Sequence, residues 1–376
     1  MQDQAPGREA AGQGADLWRL VLGTLVVLLI GTNVLLYYGL KGPRPEMAKP
    51  SKNVPVVTPT IDPKLETLPI INGHDHIYRE QDLAKYLEAC KDTGVAKTLF
   101  VASSDYTLKG NKFSPKEGNE WNSREVLKIA QAHPDEIIPF VTFHPDDANK
   151  LDLMKEYLAL GAKGVKLYTG HSNFYDRPLQ NDQMREFYAF CEQNGVPICW
   201  HVNMGNYGKE LEEVLAQYPK LKLIIPHFGV GFFSPGGDVM QQLGELMDVC
   251  PGVYTDCSFG TRDILVSGLE KVSQFPEEFR AYYEKYQDRI VWGTDMVITG
   301  NREKSKEWIA SVIRACRDMH EKSEYYFWMA ADGTAYSLPN RRNPYGYLRG
   351  LKLPPAILKK VYGDNLLRLL GLGAAQ

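Results

Sequence analysis

From residue 69 onward the chain alternates short apolar, β-branched runs with longer segments whose apolar residues recur at helical spacing. The short runs are PIINGHDHI, AKTLFVA, IIPFVTF, GVKLY, PICWHV, LKLIIPHF, GVYTDCSF and RIVWGTD, which makes eight strand candidates. Between them stand REQDLAKYLEACKDTG, NSREVLKIAQAHP, DLMKEYLALGA, DQMREFYAFCEQNG, GKELEEVLAQYP and VMQQLGELMDVC, several of which close on Gly or Pro as helices do. Alternation of this kind predicts a parallel sheet covered by helices, and eight units predict an α/β fold of the (β/α)8 TIM-barrel type over residues 68–376.

The pattern before residue 68 is different. Residues 20–39, LVLGTLVVLLIGTNVLLYYG, carry no charge, and as a helix they would span about 30 Å, the thickness of a bilayer's hydrocarbon core. Trp18, Tyr37 and Tyr38 stand near the ends of this run, where amphipathic rings favour the headgroup region. The expectation is a single-pass membrane protein with a tail over 1–17, an anchor over 18–40 and a tether over 41–67. The tether holds Pro43, Pro45, Pro50, Pro55, Pro59 and Pro63, which suits an extended spacer. Lys41, Arg44, Lys49 and Lys52 after the run outnumber Arg8 and Arg19 before it, which argues for a cytoplasmic domain. A short tail before one apolar helix argues for export, and the balance falls on an extracytoplasmic domain.

Composition narrows the function without fixing it. Hydrophobic residues make up 44% and charged residues 24% of the 376, an ordinary globular mixture. The formal net charge of −3 gives no reason to expect nucleic acid as a partner. The cysteines, Cys90, Cys191, Cys199, Cys250, Cys257 and Cys316, form no C-x-x-C pair and read as buried thiols. Homo-oligomerisation stays open.

Candidate chemistry lies at the C-terminal ends of the strands, where a barrel gathers its site. His74 and His76 in the first run are two apart, so an extended strand projects both to one side and Asp75 to the other. His201 ends the fifth run, His227 the sixth and Asp295 the eighth. Imidazoles and a carboxylate at one mouth form a nitrogen and oxygen set suited to a divalent ion, zinc first, with a position open for water. His144 and His171 follow the third and fourth strands, where they can line the mouth. Tyr168, at the end of the fourth run, is a further substrate-binding candidate. Arg262, just past the seventh strand in SFGTRD, is placed to grip a substrate carboxylate through its planar fork. The aromatic and basic stretch 320–353, with Tyr325, Tyr326, Phe327, Trp328, Arg341 and Arg342, is expected on the pocket side.

At these residues the chain resembles the amidohydrolase superfamily, above all its amidohydrolase-related branch, which also holds decarboxylases and lactonases. The resemblance covers roughly residues 68–371 and rests on GHDH at 73–76, WH ending at His201, PHFG at 226–229, WGTD at 292–295 and GDNLLRLLGL at 363–372. It implies that His74, His76 and His201 hold a metal and that Asp295 ligates it or takes the proton of its water. It implies that His227 stands beside the metal or binds a second one. Some branches carry a carboxylated lysine that bridges two ions, and Lys166 on the fourth strand is the candidate here; otherwise one ion is implied. The expected activity is hydrolysis of an amide, ester or lactone by a metal-activated water. Non-oxidative decarboxylation of an aryl or unsaturated carboxylate uses the same residues and stays open, as does a non-catalytic binding protein.

Overall fold

In a computed structural model, residues 68–104, 118–171, 175–230, 238–260, 262–331 and 346–373 are described. Each expected strand segment contains a strand: β1 (Ile70–Ile77), β2 (Val95–Val101), β3 (Ile137–Thr142), β4 (Gly164–Leu167), β5 (Ile198–Trp200), β6 (Leu223–Ile225), β7 (Val253–Asp256) and β8 (Ile290–Val291). A further short strand, β9 (Val297–Ile298), follows at once. Neighbours from β1 to β8 pair in parallel in sequence order, and β9 pairs with β1. Since β8 and β9 are two halves of one segment, both ends of the sheet order meet in residues 290–298. Hydrogen bonds from Gly73 N to Trp292 O (2.8 Å) and from His76 N to Met296 O (2.7 Å) tie β1 to that segment. The architecture is TIM-barrel-like.

The covering helices follow from amphipathic sequence. They are α1 (Leu83–Lys91), α2 (Gly118–Ala132), α3 (Lys150–Ala159), α4 (Asp182–Asn194), α5 (Met204–Gln217) and α6 (Asp238–Val249), in the six segments where helices were expected. Three more, α7 (Arg262–Gln274), α8 (Pro276–Lys285) and α9 (Lys306–Glu321), complete the last units. Their punctuation is conventional. Pro276 opens α8 and the Ser305 hydroxyl caps α9 by accepting from Trp308 N at 3.3 Å.

Burial separates two apolar layers. Ile71, Leu99, Val101, Ile138, Phe140, Cys199, Ile224, Tyr254 and Val291 cluster with Leu366, Leu367 and Leu369 of the closing helix, while the other faces of the strands pack on the surrounding helices. In the first layer the strand residues alternate with period two, so Cys199 is followed by His201 and Tyr254 by Asp256 on the same face. On β1 the alternation is reset, because its pairing with β2 shifts register between Asn72 and Asp75. Gly73 makes the reset possible. A Cβ there would stand 2.4 Å from Val291 Cγ1 and 3.1 Å from Trp292 O, so only glycine lets β1 approach the eighth segment this closely.

Two expectations are corrected here. The described part of the 320–353 stretch forms a hairpin, β10 (Glu324–Tyr326) with β11 (Tyr347–Arg349), which lies on the helical layer and not in the pocket. Arg349 is fixed by Ser273 O and Gln274 O at the end of α7, Tyr325 and Phe327 are buried in the outer apolar layer, and Tyr326 and Trp328 are exposed. Arg341 and Arg342 lie outside the described residues. The membrane-spanning helix is the second correction. No helix among the described residues is long and apolar enough to cross a membrane; the longest, α9, has 16 residues and a polar face, against about 20 apolar ones for a span. The run 20–39 that raised the expectation lies outside the described residues, with the tail and tether. All six cysteines are free, and five are buried, as expected of inert thiols.

His320 links the last helices. Its Nδ1 lies 2.6 Å from Cys316 O, which can only accept, so Nδ1 carries the hydrogen and Nε2 accepts from the Tyr283 hydroxyl at 2.8 Å. Burial pushes this imidazole down to about 4. The unfolded chain, with an ordinary imidazole near 6.5, then binds the proton first as pH falls, so this side chain withdraws stability between roughly pH 6.5 and pH 4. We expect His320→Gln to lessen the acid loss of stability by up to about 3 kcal/mol at pH 4, read from urea midpoints at pH 7 and pH 4. Equal loss in both proteins would contradict it.

Candidate metal centre

His74 and His76 reach the mouth from β1 with ring centroids 5.5 Å apart. Asp295 meets them from the eighth segment. Its Oδ1 lies 3.4 Å from His74 Nε2 and 3.2 Å from His76 Nε2, and its Oδ2 lies 3.5 Å from His227 Nε2. A ligand shell with bonds of about 2.0–2.2 Å has edges of roughly 3.0–3.5 Å, so His74, His76 and Asp295 are spaced to share one divalent ion. Two nitrogens and a carboxylate suit a borderline ion such as zinc.

The far side of each ring is also held, which fixes which nitrogen is free. His74 Nδ1 lies 2.7 Å from Asp256 Oδ2, and a carboxylate can only accept. The hydrogen therefore sits on Nδ1 and the Nε2 lone pair faces the mouth. His76 Nδ1 is 2.9 Å from Ser103 Oγ, leaving its Nε2 toward Asp295. His227 Nδ1 is 2.8 Å from Ser258 O, so it too carries its hydrogen on Nδ1, and its backbone N–H donates to Asp256 Oδ1 at 3.0 Å. Asp256 and Ser258 were not among the expected site residues. The available signal was position, since Asp256 closes the seventh strand as His201 closes the fifth.

Lys166 is fully buried on β4, with Nζ 3.0 Å from His74 Nε2 and 3.5 Å from Cys199 Sγ. Its ammonium also lies 5.2 Å from the centre of the Tyr168 ring, whose hydroxyl donates to Ala102 O at 3.2 Å. His201 is in neither tight group of candidate ligands; its ring rests 4.2 Å from that of His171 and 4.7 Å from that of His227. His144 is apart from these rings, half-buried in the loop after β3, where its Nδ1 accepts from Asp146 N and its ring meets Tyr175 edge-on at 4.8 Å. Arg262 opens α7, and its side chain is outside the described residues.

Burial sets the protonation states. It pushes His74 down to about 4, with Lys166 adding to the effect, and His171 to about 4 for the same two reasons. His76 and His201 are lowered too, chiefly by burial. Burial opposes ionisation of Asp256 and Asp295, but the imidazoles around each outweigh it and hold both carboxyls well below their usual range. Neutral rings and ionised carboxylates are the forms that bind a metal ion.

A family model described as amidohydrolase matches residues 69–372. No curated protein matches the chain. Among solved structures, an uncharacterised Tim-barrel protein from Bordetella bronchiseptica is 16% identical with a TM-score of 0.51, over 81% of this chain and 99% of that one. A probable 2-pyrone-4,6-dicarboxylic acid hydrolase from Acinetobacter baumannii, with citric acid bound, is 13% identical with a TM-score of 0.52, over 81% and 99%. An amidohydrolase from Burkholderia multivorans with bound zinc is 12% identical with a TM-score of 0.53, over 81% and 100%. At such identities the likeness is one of fold.

The partner of His74 gives a direct expectation. Asp256→Ala should leave the ring without its acceptor and weaken zinc binding by about 10–100-fold, as read by competition with a chromogenic chelator. Unchanged affinity in a folded variant would show that Asp256 does not orient the ligand.

Proposed function

Since this chain belongs to the amidohydrolase family, matched over residues 69–372, we propose that it is a metal-dependent hydrolase acting on an amide, ester or lactone carbonyl of a small molecule. The convergence of His74 Nε2 and His76 Nε2 on Asp295 Oδ1, at 3.4 and 3.2 Å, supports this reading above any other observation. The proposed ligands are His74, His76, His201 and Asp295, around one ion, most simply zinc. When bound, such an ion lowers the pKa of its water toward neutrality and polarises a carbonyl oxygen.

The chain's own residues supply the proton transfers. Asp295 is ionised and so can accept the proton of the attacking water as general base. His227 Nε2, 3.5 Å from the same carboxylate and with its hydrogen fixed on Nδ1, can then relay a proton toward the leaving group. Tyr168 and His171, beside Lys166 and His201, are the proposed pocket walls, with Arg262 and His144 as further substrate contacts. A second ion would require Lys166 to be carboxylated, which would exchange its ammonium for an anionic ligand.

Three results would establish the reading. Turnover of a panel of lactones, esters and amides should stop on chelation and return with zinc. His74→Ala should lower kcat/KM by about 1,000-fold or more, and Asp295→Asn should lower kcat by about 100- to 10,000-fold as the base is lost. Activity that survives both chelation and His74→Ala would overturn the metal role. Carbon dioxide released from an aryl or unsaturated carboxylate, without any hydrolysis, would transfer the site to the decarboxylase alternative.

A further inference from the structure

Asp75 points away from the metal ligands on either side of it. Its carboxylate is completely buried against α1 and the eighth segment, and four donors converge on it. Oδ2 accepts from Asn72 Nδ2 and the Tyr86 hydroxyl, each at 2.7 Å, while Oδ1 accepts from Thr294 Oγ1 at 2.5 Å and Met296 N at 2.7 Å. The last two donors come from the residues immediately before and after Asp295. Between them Asp295 holds a φ of 53°, in the left-handed region that a non-glycine residue occupies only when its surroundings impose it. Its own N–H donates to His74 O at 2.6 Å.

We infer that Asp75 is a positioning residue for the metal centre: it clamps Thr294 and Met296, and thereby sets the backbone that aims the Asp295 carboxylate at His74 and His76. Asn72 belongs to the same clamp, since its Oδ1 accepts from Thr294 N at 3.3 Å and His74 N at 3.2 Å. The inference rests on the proposed metal site and adds a residue outside the ligand set. Without the clamp the peptide at 294–296 loses two bonds to one oxygen, and Asp295 is free to leave the left-handed region. The metal would keep its histidines and lose its carboxylate.

The test is cobalt(II) titration of the metal-free full chain, followed by its visible ligand-field spectrum. In Asp75→Ala we expect affinity to fall about tenfold or more and the spectrum to match that of Asp295→Ala; adding Asp75→Ala to Asp295→Ala should change neither. Asp75→Asn keeps an oxygen able to accept from Thr294 and Met296 and should restore most of the wild-type spectrum. Thr294→Val removes one donor at little cost in volume and should shift the spectrum part of the way, which keeps the inference open to refutation if Asp75→Ala does not fold. A folded Asp75→Ala, or in its absence Thr294→Val, with wild-type cobalt affinity and spectrum would overturn the positioning role. A wild-type chain that binds no cobalt, or binds it equally well after His74→Ala and His76→Ala, would overturn the metal site itself.

Discussion

The left-handed backbone at Asp295 is the constraint on which the rest of the site depends. Residues 290–298 must pair with β7 at one end and β1 at the other, and between those pairings present a carboxylate to two imidazoles. A regular strand cannot do all three. The segment leaves regular pairing after Val291, turns at Asp295 with φ 53° and rejoins β1 at Val297. Close approach is required for this, and Gly73 and Gly260 provide it: a Cβ on Gly260, at φ +80°, would stand 2.7 Å from Asp295 Oδ2. Sheet closure and ligand placement are thus one geometric solution.

Electrostatics follow from the same enclosure. Burial removes water from the rings, which favours their neutral form, and the carboxylates remain charged only because donors and imidazoles surround them. Lys166 contributes to lowering His74 and His171, so a buried lysine on β4 influences imidazoles on β1 and in the loop after β4. An ion taking the His74 lone pair would displace Lys166 from its acceptor at 3.0 Å. With the proposed ion bound, metal and ammonium would compete at this one nitrogen.

Much of the fold was legible because periodicity is local. Eight apolar runs marked eight strands, and the spacing of His74 and His76 correctly placed both on one side of β1 with Asp75 on the other. Strand ends likewise located His227 and Asp295. What sequence pattern could not show was non-local or conformational. Asp256 and Ser258 touch His74 and His227, which are remote in the chain, and only the place of Asp256 at the end of the seventh strand could have marked it. The register shift between Asn72 and Asp75 is a pairing property. The stretch 320–353 was expected at the pocket because it is aromatic and basic, but composition does not say which face of a barrel such a segment covers. The apolar run 20–39 was read as a span from its length, its lack of charge and the aromatic residues at its ends, and no helix among the described residues is long and apolar enough to cross a membrane.

Asp75 and Asp256 show how two equally buried carboxyls are given different tasks by their neighbours. Both are fully buried and both accept several hydrogen bonds. Asp256 lies against His74 and His227, and it is held well below the usual carboxylate range. Asp75 meets hydroxyls, an amide and a backbone N–H but no imidazole, so burial prevails and pushes it up to about 7. A carboxylate that faces imidazoles is suited to polarising them, whereas one that faces neutral donors is suited to organising backbone. β1 separates the two environments by its pleat: its even-numbered histidines face the mouth, and the odd-numbered Asp75 between them binds the segment that carries Asp295, a proposed ligand.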